Sequence, residues 1–151
     1  MNDKNWPAAG NCRCGRVRIE ISAPPVMTAA CHCRGCQRMS ASAFSLTAMV
    51  PMGNFHVAEG DPVKGGVMGP QLDHFFCPDC KTWIFTRITG MDNVVNVRPT
   101  MFDEPEWSRP FIETMTSEKL PWAQTPALHS YEGFPTPETF PALLAEFANR
   151  R

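Results

Sequence analysis

The stretch CHCRGCQR at residues 31–38 places Cys31, Cys33 and Cys36 within six positions. Zinc in a closed structural site takes four ligands, whereas three protein ligands leave one position exchangeable, the arrangement used for catalysis. The chain has seven cysteines, and the other four fall into two pairs, Cys12 with Cys14 and Cys77 with Cys80. No cysteine stands apart from another.

Cys77-Pro78-Asp79-Cys80 has the two-residue spacing of a zinc knuckle, with Pro78 presetting φ at the second position of the turn. A thioredoxin-like dithiol shares this spacing but belongs to a strand–helix context. Here WIFTRIT at 83–89 follows and reads as a strand. Cys12 and Cys14 are one residue apart; on an extended backbone both point to one face, and Gly15 lets the chain turn away. Two sulfurs do not close a tetrahedral site, and the knuckle can supply the others. That would join segments more than 60 residues apart, and structural zinc is worth about 10–16 kcal/mol in zinc-finger peptides. Residue types alone permit two partitions. Cys12, Cys14, Cys77 and Cys80 close one site and Cys31, Cys33 and Cys36 form the open set, or Cys33 and Cys36 join the knuckle and Cys12, Cys14 and Cys31 stay open.

Three motifs, G-x-C-x-C-G at 10–15, C-H-C-x-x-C at 31–36 and F-C-P-x-C at 76–80, together resemble the glutathione-dependent formaldehyde-activating enzyme family, whose domain also occurs in centromere protein V. The resemblance runs from about residue 10 to Trp122, with Pro121-Trp122 in the expected place. It implies a mainly β, tent-like fold of many antiparallel strands. It assigns structural zinc to Cys12, Cys14, Cys77 and Cys80, and catalytic zinc to Cys31, Cys33 and Cys36. Glutathione is the implied co-substrate thiol and formaldehyde the aldehyde, joined as S-hydroxymethylglutathione, with carbon–sulfur lyase chemistry in reverse. Two positions depart from the pattern: Lys81 stands where the knuckle usually continues with glycine, and Glu113 where some relatives carry histidine.

A zinc held by three thiolates carries a formal charge of −1. Arg34 and Arg38 flank this triplet and are candidates to offset that charge or to bind a glutathione carboxylate. His32, between two ligands, should point away from the metal and is a candidate proton shuttle. Glu113 and Asp79 are candidate general bases. His56, His74 and His129 read as structural or surface residues, and Trp6, Trp83, Trp107 and Trp122 as core or cleft wall. A non-catalytic zinc β module that binds a protein or peptide is the alternative function. The third cysteine separates the two readings, because a binding ribbon has no need of an exchangeable position.

The elements that must position these groups are short strands. Val17, Ile19 and Ile21 alternate with polar residues up to Pro24-Pro25, the period of a half-buried strand. Further strands are expected at VMTAA before the triplet, at 41–50, 55–60, 94–98 and 111–116, with a glycine-rich turn at 65–69. LDHFF and WIFTRIT should form a hairpin with the knuckle at its tip. This pattern argues a β barrel or sandwich. A helix is expected over 136–150, with Thr136 as N-cap, Pro137 at its first position and an apolar stripe of Phe140, Leu143, Leu144 and Phe147.

A length of 151 residues suits one domain, a core at about 10–122 with a C-terminal helical extension at 136–150. A net charge of −1 and a pI of 6.4 argue against nucleic acid as a partner. No apolar run approaches the roughly 18 residues of a membrane span. The start, MNDKNWPAAG, has no apolar segment of signal-peptide type, so a cytoplasmic protein with reduced thiols is expected. Its partners are then a small-molecule thiol and an aldehyde, with self-association left open.

Overall fold

A computed structural model describes residues 6–66 and 70–150. Residues 1–5 of the N-terminal stretch and 67–69 of the glycine-rich turn lie outside the described residues. The elements in order are β1 (Ala8–Asn11), β2 (Arg18–Ile21), β3 (Met27–Cys31), α1 (Arg34–Ser40), β4 (Ser45–Pro51), β5 (Phe55–Glu59), β6 (Val63–Gly65), β7 (Leu72–Phe76), β8 (Trp83–Ile88), β9 (Val94–Val97), β10 (Ile112–Thr114), β11 (His129–Ser130) and α2 (Phe140–Asn149). They make a three-stranded sheet, β1-β2-β5, and an eight-stranded sheet, β11-β10-β3-β4-β9-β8-β7-β6.

The mainly β class expected from the sequence is what the chain adopts. The large sheet is mixed, though, because β10 runs parallel to both β3 and β11. A parallel pair needs a long crossover, and the 80 residues between β3 and β10 supply it while building the middle of the sheet.

Alternation along the large sheet sorts its residues onto two faces. Ala48, Val50, Phe85, Val95 and Val97 pack with Ile19, Ile21 and Phe55 of the small sheet in the main core. The opposite face is set by register: Thr114, Cys31 and Ser45 form one cross-strand row, and Ile112, Ala29 and Thr47 the next. A further row runs Met27, Met49, Asn96, Thr86 and His74. The core side is closed, and this second face holds the cleft described below.

Part of that second face is covered by α2. Leu143 and Phe147 pack with Met27, Phe111 and Ile112 in a second apolar cluster, and Leu144 lies against it. The helix begins at Phe140, with Thr139 as its N-cap, and not at Pro137. A start at 137 would drive the Pro141 ring into the carbonyl four residues back; the observed start puts Pro141 at the second helical position, where it costs little. Thr136 instead hydrogen-bonds the Thr139 hydroxyl at 2.7 Å.

Four elements are absent from the sequence reading: β1, β6, β11 and α1. β4 also starts four residues later than expected. The residues before it belong to α1 and its exit, where Ala41 takes a left-handed φ of 50°.

Candidate active site

The fold assembles the seven sulfurs into two groups, Cys12 with Cys14, Cys77 and Cys80, and Cys31 with Cys33 and Cys36, each within 4.8 Å of one another. This is the first of the two partitions that residue types permit. The four-sulfur group joins two turns. Cys12 and Cys14 lie just after β1, in a turn closed by the Gly15 N–H donating to the Cys12 carbonyl at 3.0 Å, so the pair is not on extended backbone as expected. Gly15 takes φ +80°, the left-handed region that favours glycine. Cys77 and Cys80 sit at the tip of the β7–β8 hairpin, as the sequence suggests, and Lys81 leaves that turn at φ 62°.

The sulfur spacing suits zinc. Four sulfurs at about 2.3 Å from one ion lie ~3.8 Å apart along a tetrahedral edge. Cys12 and Cys14 are 3.6 Å apart, and Cys14 and Cys77 3.7 Å. Burial opposes ionisation of Cys80, but hydrogen bonds from the Thr82 hydroxyl and N–H, with others from Cys14 and Cys77, bring it down to about 5. Cys14 is pushed up to about 11 although the Arg16 N–H favours its thiolate, because burial and the Cys12, Cys80 and Cys77 sulfurs oppose it. Thiols that share protons this closely are a donor set suited to a dication.

The three-sulfur group sits where β3 ends and α1 begins. Cys33 is the N-cap of α1 and its sulfur accepts the Cys36 N–H at 3.3 Å. Cys31 and Cys36 shift each other's ionisation in opposite directions. Cys31 is lowered to about 5, chiefly by a hydrogen bond from the Cys36 thiol, against its own burial. Cys36 is raised, first by that same bond and then by burial. Cys33 is raised by burial and by the Cys31 charge. The seam is set from below by cross-strand register, which places Ser45 and Thr114 beside Cys31.

All three cysteines open into one cleft of about 340 Å³ on the second face of the large sheet. Its polar end includes Ser45, Asn96, Thr86, His74 and Arg98. The rest is apolar and includes Phe134, Pro135 and Phe140 from the segment that leads into α2. A neighbouring cleft of about 360 Å³ shares Ser45, Trp83 and Arg98 with it.

Arg98 lines the cleft and is a candidate that the sequence reading does not single out. It is 6% exposed, its guanidinium carbon lies 4.0 Å from the Trp83 ring centroid, and its Nε has no hydrogen-bond partner. Burial draws it down to about 10, while the Cys36 and Cys31 charges work the other way. A signal was present in VVNVR: if Val95 and Val97 face the core, Asn96 and Arg98 share the other face. His74, read as structural or surface, lines the cleft; its Nδ1 lies 2.9 Å from the Thr86 hydroxyl. Burial and the Arg98 charge lower its pKa.

Other residues singled out from the sequence lie elsewhere. Arg34 and Arg38 are exposed on α1 and do not line the cleft. His32 is fully buried and meets Glu113 at 2.8 Å through Nε2, so it is directed away from the cysteine cluster. Glu113 is on the face opposite Thr114 and accepts from Ser130 at 2.6 Å, Thr125 at 2.8 Å and Lys119 at 3.2 Å as well as from His32. Burial raises this carboxyl, but those four donors outweigh it and hold it at about 2. A carboxylate that is saturated and lies outside the cleft is a strut, not a general base. Asp79 pairs with Arg16 on the surface at 3.0 Å. His56 is exposed and pairs with Glu20, and His129 pairs with Glu146. Trp83 is cleft wall and Trp107 core, but Trp122 is 73% exposed and belongs to neither.

The described residues contain no helix long and apolar enough to cross a membrane. A crystal structure of a Rhodobacter sphaeroides protein is similar to this chain at a TM-score of 0.53 and 19% sequence identity, over 63% of this chain and 87% of that one. Likeness at that identity bears on the fold alone. The profile described as glutathione-dependent formaldehyde-activating enzyme matches residues 7–118, a span that holds all seven cysteines, the Trp83–Arg98 stack and the strands that carry them. The chain therefore belongs to the glutathione-dependent formaldehyde-activating enzyme family.

Proposed function

We propose that the protein is a carbon–sulfur lyase of the aldehyde-activating type, joining a thiol to an aldehyde and catalysing the reverse, with zinc at two sites. The observation that carries this reading is the opening of a three-sulfur cluster into a cleft beside a buried, acid-free guanidinium. Cys12, Cys14, Cys77 and Cys80 would hold a structural zinc, and Cys31, Cys33 and Cys36 the catalytic one. Zinc, when bound by three thiolates, leaves a position for an incoming thiol and favours its thiolate.

The protein's own groups supply the rest. Arg98 balances the net negative charge of a trithiolate site, the task first assigned to Arg34 and Arg38. Its guanidinium lines the cleft in which a carbonyl oxygen gains charge as sulfur adds. The new bond joins sulfur to the carbonyl carbon, the C=O π pair moves to oxygen, and that oxygen takes up the proton the thiol gave up. No electron acceptor is needed. His74, kept neutral by burial, is the cleft residue able to carry that proton. Arg34 and Arg38, exposed on α1, would meet a glutathione carboxylate outside the cleft.

The deciding experiment measures zinc content together with formaldehyde–adduct exchange by NMR, with and without glutathione. Two zinc equivalents and glutathione-dependent exchange are expected. Full zinc loading with no thiol-dependent exchange would overturn the lyase reading and favour a zinc binding module.

A further inference from the structure

We propose that the aldehyde accepted by this cleft is larger than formaldehyde, carrying an unbranched apolar body of about six to ten carbons. The proposal rests on the thiol–aldehyde reading above and deepens it. Size is the first ground. The cleft is about 340 Å³, whereas formaldehyde needs little more than the roughly 30–60 Å³ of one or two water molecules. Even with an ion at the cysteines and a thiol sulfur beside it, a two-heavy-atom substrate would leave much of it filled by water, beside a reaction whose charged intermediate gains from water's exclusion.

Wall chemistry is the second ground. Besides its polar residues, the cleft is walled by Met27, Met49, Leu72, Ile88, Phe134 and Phe140. Flexible methionines adapt to a chain that lacks a fixed shape. Glutathione, with two carboxylates and an ammonium group, does not match this wall; among the described residues Arg98 is the only guanidinium or ammonium side chain lining it. The thiol's peptide body is therefore left outside, and the aldehyde tail takes the apolar space.

The third ground is where the wall comes from. Phe134, Pro135 and Phe140 lie beyond residue 118, where the family match ends. Phe134 is 68% exposed yet lines the cleft, so its ring stands at the mouth. α2 holds the segment in place by burying Leu143 and Phe147 against β3 and β10. The segment following the family region thus builds one side of the substrate site, with Phe134 at its lip. A tail lying between Phe134 and the Met27–Met49 row would leave its carbonyl at the Cys31–Arg98 end.

The test uses the full zinc-loaded chain with glutathione fixed, and compares ethanal, butanal, hexanal and octanal, which differ little in electrophilicity. Expected is a rise in kcat/KM of roughly fourfold per methylene until the cleft is full. Phe134→Ala should lower the octanal-to-ethanal ratio by about tenfold, with Phe134→Leu restoring much of it. Octan-1-ol, which has no carbonyl to react, should perturb the fluorescence of Trp83 in the cleft wall and bind the Phe134→Ala chain more weakly. Turnover that is flat across the series, with no octan-1-ol binding, would overturn this inference and leave the lyase reading standing. No thiol adduct from any aldehyde at full zinc loading would overturn both, even if octan-1-ol binds.

Discussion

Arg98 lies with its guanidinium carbon 4.0 Å from the centroid of the Trp83 ring, and no carboxylate pairs with it among the described residues. Burying an unpaired cation is costly, and cation–π attraction of about 2 kcal/mol recovers only part of that. The negative charge that favours its charged form comes from the Cys31–Cys36 group. This stack links the β8–β9 region to the cysteine cluster at the end of β3.

Replacing Arg98 therefore separates activity from stability. Arg98→Met should lower kcat/KM by about 10²-fold, the typical loss on removing one donor to a developing oxyanion. Calorimetry should find its melting temperature within a few degrees of the parent, since the desolvation cost of the guanidinium is lost together with its attraction to Trp83 and the sulfurs. Arg98→Lys should not rescue turnover, because an ammonium lacks the planar face that stacks on Trp83.

The two sulfur clusters should respond differently to loss of a ligand. Cys36→Ser should fold, keep one zinc equivalent and lose activity by more than about 100-fold, the upper cost of disturbing even a partner of a metal ligand. Cys77→Ser should not refold from denaturant with zinc present. It forfeits an interaction of about 10 kcal/mol, comparable with the whole stability of a domain. Metal analysis of the refolded chains, read with circular dichroism, decides between these outcomes.

Glu113 should make the fold acid-sensitive in a defined window. Its folded value of about 2 lies below its ordinary 4.5. Its contribution, on the order of 3 kcal/mol, is thus fully present above about pH 4.5 and is lost as pH falls toward 2. Urea unfolding at pH 6 should find Glu113→Gln less stable by a similar amount. At pH 3 the gap between variant and parent should shrink; a constant gap would show that the carboxylate charge contributes nothing.

Lys81 occupies a left-handed conformation at φ 62°. An L-residue there costs about 1–2 kcal/mol, and glycine recovers this less its larger unfolded-state entropy. Lys81→Gly should raise stability by about 0.5–1 kcal/mol and leave zinc content unchanged, as chemical denaturation with metal analysis will report.

Much of this protein was legible in residue order. Period-two alternation located β2, and short apolar runs bounded by turn residues located β3, β5, β7, β8, β9 and β10 within a few residues. Cysteine spacing marked the two cysteine groups that the fold assembles, and the resemblance carried by those motifs named the family. Helix α1 was hidden because its first turn reads as ligand spacing: Cys33 is at once a cluster member and the helix cap. β1, β6 and β11 read AAGN, VKG and HS, with no run of β-branched or aromatic residues to mark a strand.

What tertiary structure alone decided is long-range. Partition of the sulfurs depends on a hairpin tip at Cys77–Cys80 reaching a turn at Cys12–Cys14, and no local preference encodes that approach. Register across β10, β3 and β4 sends Thr114 into the cleft and Glu113 to a saturated network behind it, and a shift of one residue would exchange them. Arg98 reads from the sequence as a charge at the end of a strand. Only the packing of β8 and β9 beneath the cysteine cluster buries it and makes it the cation of the site.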